Sequence, residues 1–178
     1  MDVVAIVPAY NEEKTIGEVL RCLVQVKEIK KIVVVSDGST DGTVSVAKSF
    51  NVEVIELEEN RGKGGAMKAG FDRFMADIVL FLDADLIGLT SKHVRDLLFP
   101  VLNDEAEMTI GIFDKGRMAT DLAQRVAPGL SGQRAVKSSI LENISDIDIS
   151  RFGVEIALTR YVEENNFRLK EILLKDMT

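Results

Sequence analysis

Five short runs rich in Val, Ile and Leu leave this chain few ways to fold. "VVAIV" (Val3–Val7), "KIVVVS" (Lys31–Ser36), "VEVIEL" (Val52–Leu57), "DIVLFL" (Asp77–Leu82) and "MTIGIF" (Met108–Phe113) are strand-sized, and their apolar content suits strands covered on both faces. Helical spacing fills the gaps between them. Ile16, Val19, Leu20, Leu23 and Val24 recur on one face after "NEEK", which offers a capping residue and first-turn acids. Thr40–Phe50, Gly64–Phe74 and Ser91–Leu102 continue the alternation. Strand and helix in this rhythm specify an α/β fold, a doubly wound, Rossmann-like and mostly parallel sheet flanked by helices.

The rhythm stops after Phe113. Residues 114–137 hold Gly116, Pro128, Gly129 and Gly132 and show little periodicity, so an irregular stretch is expected there. It carries five cations, Lys115, Arg117, Arg125, Arg134 and Lys137, against Asp114 and Asp121, a local +3 in a chain of net charge −7. A helix at Val154–Asn165 and a strand at Leu169–Lys175 follow. With 178 residues and no internal repeat, the chain reads as one domain, 1–178. The acidic balance argues against a nucleic-acid partner, which calls for a basic face. The apolar runs are too short to span a bilayer, no signal peptide is read at the N-terminus, and the lone Cys22 fits a buried thiol in a reducing cytoplasm.

In open α/β sheets, ligands bind beyond the carboxyl ends of the strands. Four loops leaving such ends are chemically loaded. "VPAYNEE" follows the first strand, where Pro8 is expected to end the pairing and Tyr10 and Asn11 can meet a flat ring. "SDGSTDGT" follows the second. Its Asp41 reads as a turn and helix-cap residue, whereas Asp37 follows a buried strand directly and faces the same rim as the acids below. "ENRGKGGAMKAG" offers backbone N–H groups and Lys63 to an anion, without the spacing of a Walker A loop. "LDADL" brings Asp83 and Asp85 to the tip of a buried run. Paired carboxylates there suit Mg²⁺ or Mn²⁺ shared with a diphosphate, the plainer alternative being an acidic helix entry.

In their order and spacing, "VAIVPAYNEEKTI", "VVVSDGSTDGT", "NRGKGGAM" and "ADIVLFLDADL" resemble family 2-type glycosyltransferases of the GT-A fold, including the dolichol-phosphate sugar synthases. The later "SGQRA" and "RFGVEIALT" are similar to the acceptor side of these enzymes and of glucosyl-3-phosphoglycerate synthases. The resemblance implies sugar transfer from a UDP- or GDP-linked donor with a divalent metal. Residues 1–113 would form the nucleotide-sugar half and 114–178 the acceptor half. Pro8, Ala9, Tyr10 and Glu12 would hold the nucleotide, and Asp37 the base or ribose. Lys63 would lie near the diphosphate, Asp83 would contact ribose or metal, and Asp85 would be the main metal ligand. Glu155 matches the acid that serves as general base or acceptor contact, and it also begins a helix, where an acid is favourable in itself.

Arg117 and Arg134 are expected to bind an acceptor phosphate, which needs no base, whereas a hydroxyl acceptor would need Glu155. Related enzymes often place a metal-binding His after the last strand. Here the histidine is His93, in "SKHVRD", read as a surface residue on the helix after the aspartate loop. Either the metal site lacks a histidine or the sequence is shorter than a typical member. A lipid-phosphate acceptor would require peripheral contact with a membrane. The resemblance favours an inverting transfer and keeps open a retaining one of the phosphoglycerate-synthase type, and two other readings stand beside transfer. One is a nucleotidyltransferase, disfavoured because "VPAYNEE" lacks glycine and arginine, and the other is a catalytically silent nucleotide-sugar-binding module.

Overall fold

The most apolar stretches of the sequence form the middle of the sheet. The computed structural model describes residues 1–113, 131–144 and 153–178. Its strands are β1 (Val3–Ala9), β2 (Lys31–Asp37), β3 (Glu53–Leu57), β4 (Ile78–Phe81), β5 (Met108–Phe113), β6 (Arg134–Lys137) and β7 (Leu169–Leu174). Its helices are α1 (Ile16–Leu23), α2 (Thr43–Lys48), α3 (Gly62–Arg73), α4 (Ser91–Leu102), α5 (Ser138–Leu141) and α6 (Val154–Glu164). The strands line up as β3-β2-β1-β4-β6-β5-β7, with β6 antiparallel to both neighbours and the other pairs parallel.

Side chains alternate along β1, as a strand requires. Val3, Ala5 and Val7 enter one core with Leu20 and Leu23 of α1 and Leu97 and Leu98 of α4. Val4 and Ile6 enter the other with Met67 of α3 and Leu158 of α6. A sheet buried on both faces is what its Val/Ile/Leu runs call for. Cys22 is buried on the apolar face of α1, and burial pushes its thiol up from the usual range.

Several local expectations are corrected. The stretch expected to be irregular contains β6, which enters the sheet between β4 and β5. Four residues are too few to show a period. Pro8 does not end the pairing, for β1 continues to Ala9, with Pro8 opposite Val35. The carbonyl of Ile6 accepts from Leu82 on the β4 side, so period two turns the missing N–H of Pro8 to that side, past the end of β4. Helix α1 starts after Thr15 rather than within "NEEK". His93 is half-buried, and its Nδ1 accepts from the N–H of Thr90 while Thr90 Oγ1 accepts from the N–H of His93. It closes the first turn of α4 as a capping residue.

An ion network ties the opposite end of the sheet, where β5 and β7 begin and β6 ends. Glu107 accepts from Arg168 through Oε2 at 2.8 Å (backbone N) and 3.1 Å (Nε) and through Oε1 at 2.5 Å (Nη2), and from Lys137 at 3.4 Å. Hydrogen bonds from Arg168 hold the Glu107 carboxyl down at about 2, against 4.5 ordinarily. A shift of this size corresponds to about 3 kcal/mol, and screening through the half-exposed Arg168 leaves about 1–2 kcal/mol. A depressed carboxyl stabilises the fold above its unfolded value, and the gain is lost as pH falls from 4.5 through about 2. Denaturant unfolding of Glu107→Gln should therefore show a deficit of about 1–2 kcal/mol at pH 7 that closes towards pH 2.

Candidate active site

The strand order reverses between β1 and β4, and the loops leaving their carboxyl ends part there to open a cleft. On one side the β1–α1 loop is stitched to the β2–α2 loop. The N–H of Asn11 donates to Ser39 Oγ (3.1 Å), that of Thr40 to Asn11 Oδ1 (2.8 Å), that of Glu12 to Thr43 Oγ1 (2.8 Å) and that of Gly42 to Glu13 Oε2 (2.7 Å). Asn11 takes a left-handed φ of 55° to do so, within reach of an asparagine. Asp41 accepts from the N–H groups of Thr43 and Glu13 and so serves the turn as expected, but the cap position of α2 itself falls to Gly42.

Asp37 ends β2 almost fully buried, and its Oδ1 accepts from the N–H of Arg61 at 2.7 Å, holding the start of α3 against the sheet. Gly38 permits this approach. Its φ is +74°, and a Cβ there would lie 3.0 Å from the backbone nitrogen of Asn60. The resulting cleft, about 420 Å³, is lined by eight of the expected residues, Pro8, Ala9, Tyr10, Glu12, Asp37, Lys63, Asp83 and Asp85. Asn60, Gly62, Ala66 and Ala84 complete it, and Tyr10 is half exposed at the rim. A second hollow of about 290 Å³ behind α3 is walled by Met67, Phe71, Phe81 and Leu158 and contains neither Asp83 nor Asp85.

At the inner end of the cleft three charges converge from distant parts of the chain. Lys63 Nζ lies 2.5 Å from Asp83 Oδ1 and 2.7 Å from Glu155 Oε1. The other oxygen of Asp83 accepts from Gln133 Nε2 at 3.1 Å. Burial alone would pull the Lys63 ammonium down, but Asp83 and Glu155 outweigh it and hold it above its usual range. Burial pushes the Asp83 carboxyl up, Lys63 opposes this, and Asp85 and Glu155 add to it. Gly132 packs directly against this cluster, where a Cβ would come within 2.5 Å of both carboxylate oxygens of Asp83.

Asp85 stands exposed two residues on. Its loop is braced from behind by the end of the chain, the N–H of Ile87 donating to the carbonyl of Thr178 (2.8 Å) and that of Thr178 to Ile87 (3.2 Å). Among the described residues no group of three His, Cys, Asp or Glu gathers as a ready-made metal cage. Two carboxylates on one short loop, with an ammonium already occupying a cation's place beside Asp83, fit a hard divalent ion. Such an ion takes its remaining ligands from water and a diphosphate.

Arg134 departs from its expected role. Its side chain is wholly buried in β6. Nε donates to the carbonyl of Ser131 at 3.1 Å, Nη1 to the carbonyl of Glu155 at 3.0 Å and to Thr159 Oγ1 at 3.4 Å, and Nη2 to Ser131 as well. Burial pulls the guanidinium down to about 10, partly offset by Glu155 and Asp83, so it stays charged. It anchors the first turn of α6, which carries Glu155, and presents no exposed fork to a phosphate. Lys137 is likewise engaged, with Asp104 and Glu107. Arg117 lies outside the described residues, as do Lys115 and Arg125. Gln133 and Gly132 were not anticipated, although both stand inside "SGQRA".

A family profile described as Glycosyl transferase family 2 matches residues 4–155. "Uncharacterized protein MJ1222" of Methanocaldococcus jannaschii is 32% identical over 199 residues, covering 98% of this chain and 81% of that protein. Dolichyl-phosphate beta-glucosyltransferase of Drosophila melanogaster is 41% identical over 101 residues, 48% of this chain and 31% of the relative. Among solved structures, glucosyl-3-phosphoglycerate synthase from Mycobacterium tuberculosis with phosphoglyceric acid superposes with a TM-score of 0.83 at 24% identity, over 99% of this chain and 71% of that one. The same enzyme with Mn²⁺, UDP and glucosyl-3-phosphoglycerate gives 0.82 over the same shares. The architecture is thus the expected GT-A type, a mostly parallel seven-stranded sheet between helices.

Proposed function

The chain belongs to glycosyl transferase family 2, and from that premise we propose that it moves a sugar from a UDP- or GDP-linked donor to a phosphate-bearing acceptor with Mg²⁺ or Mn²⁺. The observation that carries this reading is the convergence of Lys63, Asp83 and Glu155 at the inner end of a cleft that opens where the sheet order reverses. A base can stack on the half-exposed Tyr10, beside the backbone of Pro8 and Ala9, with Glu12 and Asp37 lining the same wall. Lys63 and the N–H groups opening α3 face the diphosphate. Asp83 and Asp85 would hold the divalent ion, which supplies charge neutralisation to the departing diphosphate.

The acceptor approaches from the side of Glu155. A phosphate acceptor is ionised at neutral pH and attacks without a base, while a hydroxyl would pass its proton to the Glu155 carboxylate. Arg117 is the remaining candidate for a phosphate contact once Arg134 is seen to be buried. The solved relatives named above hold UDP with Mn²⁺ and phosphoglyceric acid, which supports this pairing of donor and acceptor classes. Residues 1–113 then serve the donor and 114–178 the acceptor. Among the described residues no helix is long and apolar enough to cross a membrane, so a lipid-phosphate acceptor would be met at a surface.

Calorimetric titration with UDP, GDP, UDP-glucose and GDP-mannose, each with Mn²⁺ and with EDTA, tests the reading. One nucleotide should bind at least about tenfold more tightly with Mn²⁺. Equal binding in EDTA, or none in either condition, would overturn it. Metal-dependent binding with neither hydrolysis nor transfer would identify a silent nucleotide-sugar-binding module instead.

A further inference from the structure

We propose that Lys63 is a displaceable counter-ion: in the ligand-free chain its ammonium keeps the divalent ion off Asp83, and the diphosphate draws it away. This rests on the donor reading given above and goes further, because it sets an order of binding. Both oxygens of Asp83 are engaged, Oδ1 by Lys63 and Oδ2 by Gln133. Behind them Gly132 leaves no room for a second cation, since even a methyl group there would collide with the Lys63 ammonium and both oxygens. An ion arriving from the cleft therefore meets a positive charge at the carboxylate it needs. In a partly buried site that repulsion is poorly screened.

The path of release is built in. Lys63 lies between Gly62 and Gly64 in the first turn of α3, and nothing lies within 4 Å of a Cβ placed on Gly62. Lys63 and Asp83 both line the 420 Å³ cleft, so the ammonium can swing outward onto a diphosphate oxygen without any backbone change. Glu155 keeps the other half of its claim on Lys63, which limits the movement to a change of partner at one end. The divalent ion alone then binds weakly, the diphosphate alone gains little, and the two together bind cooperatively because each relieves the obstacle facing the other.

The test measures Mn²⁺ binding by the loss of its free paramagnetic signal, without nucleotide, in the wild type, Lys63→Met and Lys63→Arg, alongside UDP binding in the presence of Mn²⁺. Lys63→Met should bind Mn²⁺ alone about five- to tenfold more tightly than wild type, and UDP with Mn²⁺ about tenfold more weakly. Lys63→Arg, which keeps the charge, should bind Mn²⁺ alone as weakly as wild type. An unchanged or weaker Mn²⁺ affinity in Lys63→Met, with wild-type UDP binding intact, would overturn the counter-ion role and leave the donor reading standing. Absence of Mn²⁺-dependent UDP binding in the wild type would overturn the donor reading and the counter-ion role with it.

A readout on the wild type alone covers the case in which Lys63→Met fails to fold. Acetylation of Lys63, followed by mass spectrometry, should rise several-fold with saturating Mn²⁺ and fall again when UDP is added. A rate indifferent to Mn²⁺ would overturn the proposal.

Discussion

Asp85→Ala is expected to lower sugar transfer on the order of a thousandfold while leaving the thermal midpoint where it is. The two halves of that expectation come from the same geometry. The Asp85 side chain is exposed on its loop, and among the described residues no hydrogen bond or ion pair holds it, so its removal strands no partner. Truncation of such a surface side chain falls within about 0.5 kcal/mol. On the proposed mechanism it would supply one of two carboxylates that hold the divalent ion, whose charge the departing diphosphate would need, a contribution of several kcal/mol. Steady-state transfer with Mn²⁺ varied, together with a melting curve, checks both halves. Full activity in the variant would place the ion elsewhere, and a collapse of stability would make Asp85 a structural residue.

Arg134→Ala should do the reverse, costing the fold far more than the chemistry. The guanidinium is wholly buried and supplies donors to the carbonyls of Ser131 and Glu155 and to Thr159 Oγ1. Alanine would open a cavity, take the guanidinium donors from the Ser131 carbonyl, leave the Glu155 carbonyl only its bond from Thr159 Oγ1, and strip a nearby positive charge from Asp83 and Glu155. Losses of this kind run to about 3–5 kcal/mol. In a chain of this size that lowers the melting temperature by roughly 10–15 °C. Arg134→Lys keeps the charge but not the planar fork, and should recover only part of the loss. A variant that melts like wild type but shows a raised acceptor KM would restore the phosphate-binding role expected from the sequence.

That contrast marks where the sequence was legible. The strands β1 to β5 announce themselves because sustained runs of branched apolar residues have few homes outside a doubly covered sheet. The four loops at their carboxyl ends could be placed for the same reason, and the cleft gathers Pro8, Ala9, Tyr10, Glu12, Asp37, Lys63, Asp83 and Asp85 from them. β6 stayed hidden because it is four residues long and starts with an arginine. A charged side chain argues for solvent until its partners are known, and those partners are the carbonyls of Ser131 and Glu155 and the hydroxyl of Thr159, which no residue pattern advertises. Gln133 is uncharged and aperiodic, and its meaning lies in its hydrogen bond to Asp83. Glu155 could be picked out by resemblance, but its meeting with Lys63 depends on α6 packing against the core shared with α3.

The brace between Ile87 and Thr178 bears on the order in which the protein assembles. On the ribosome the aspartate loop emerges early, with β4 already in place to hold its start. Its far end is pinned by backbone bonds to a residue that follows β7. The loop can therefore settle only after β7 has joined β5 at the edge of the sheet. A nascent chain would carry Asp83 and Asp85 on an unpinned segment until Thr178 is made and β7 has docked, and the proposed competence to hold a cation would arrive with that strand.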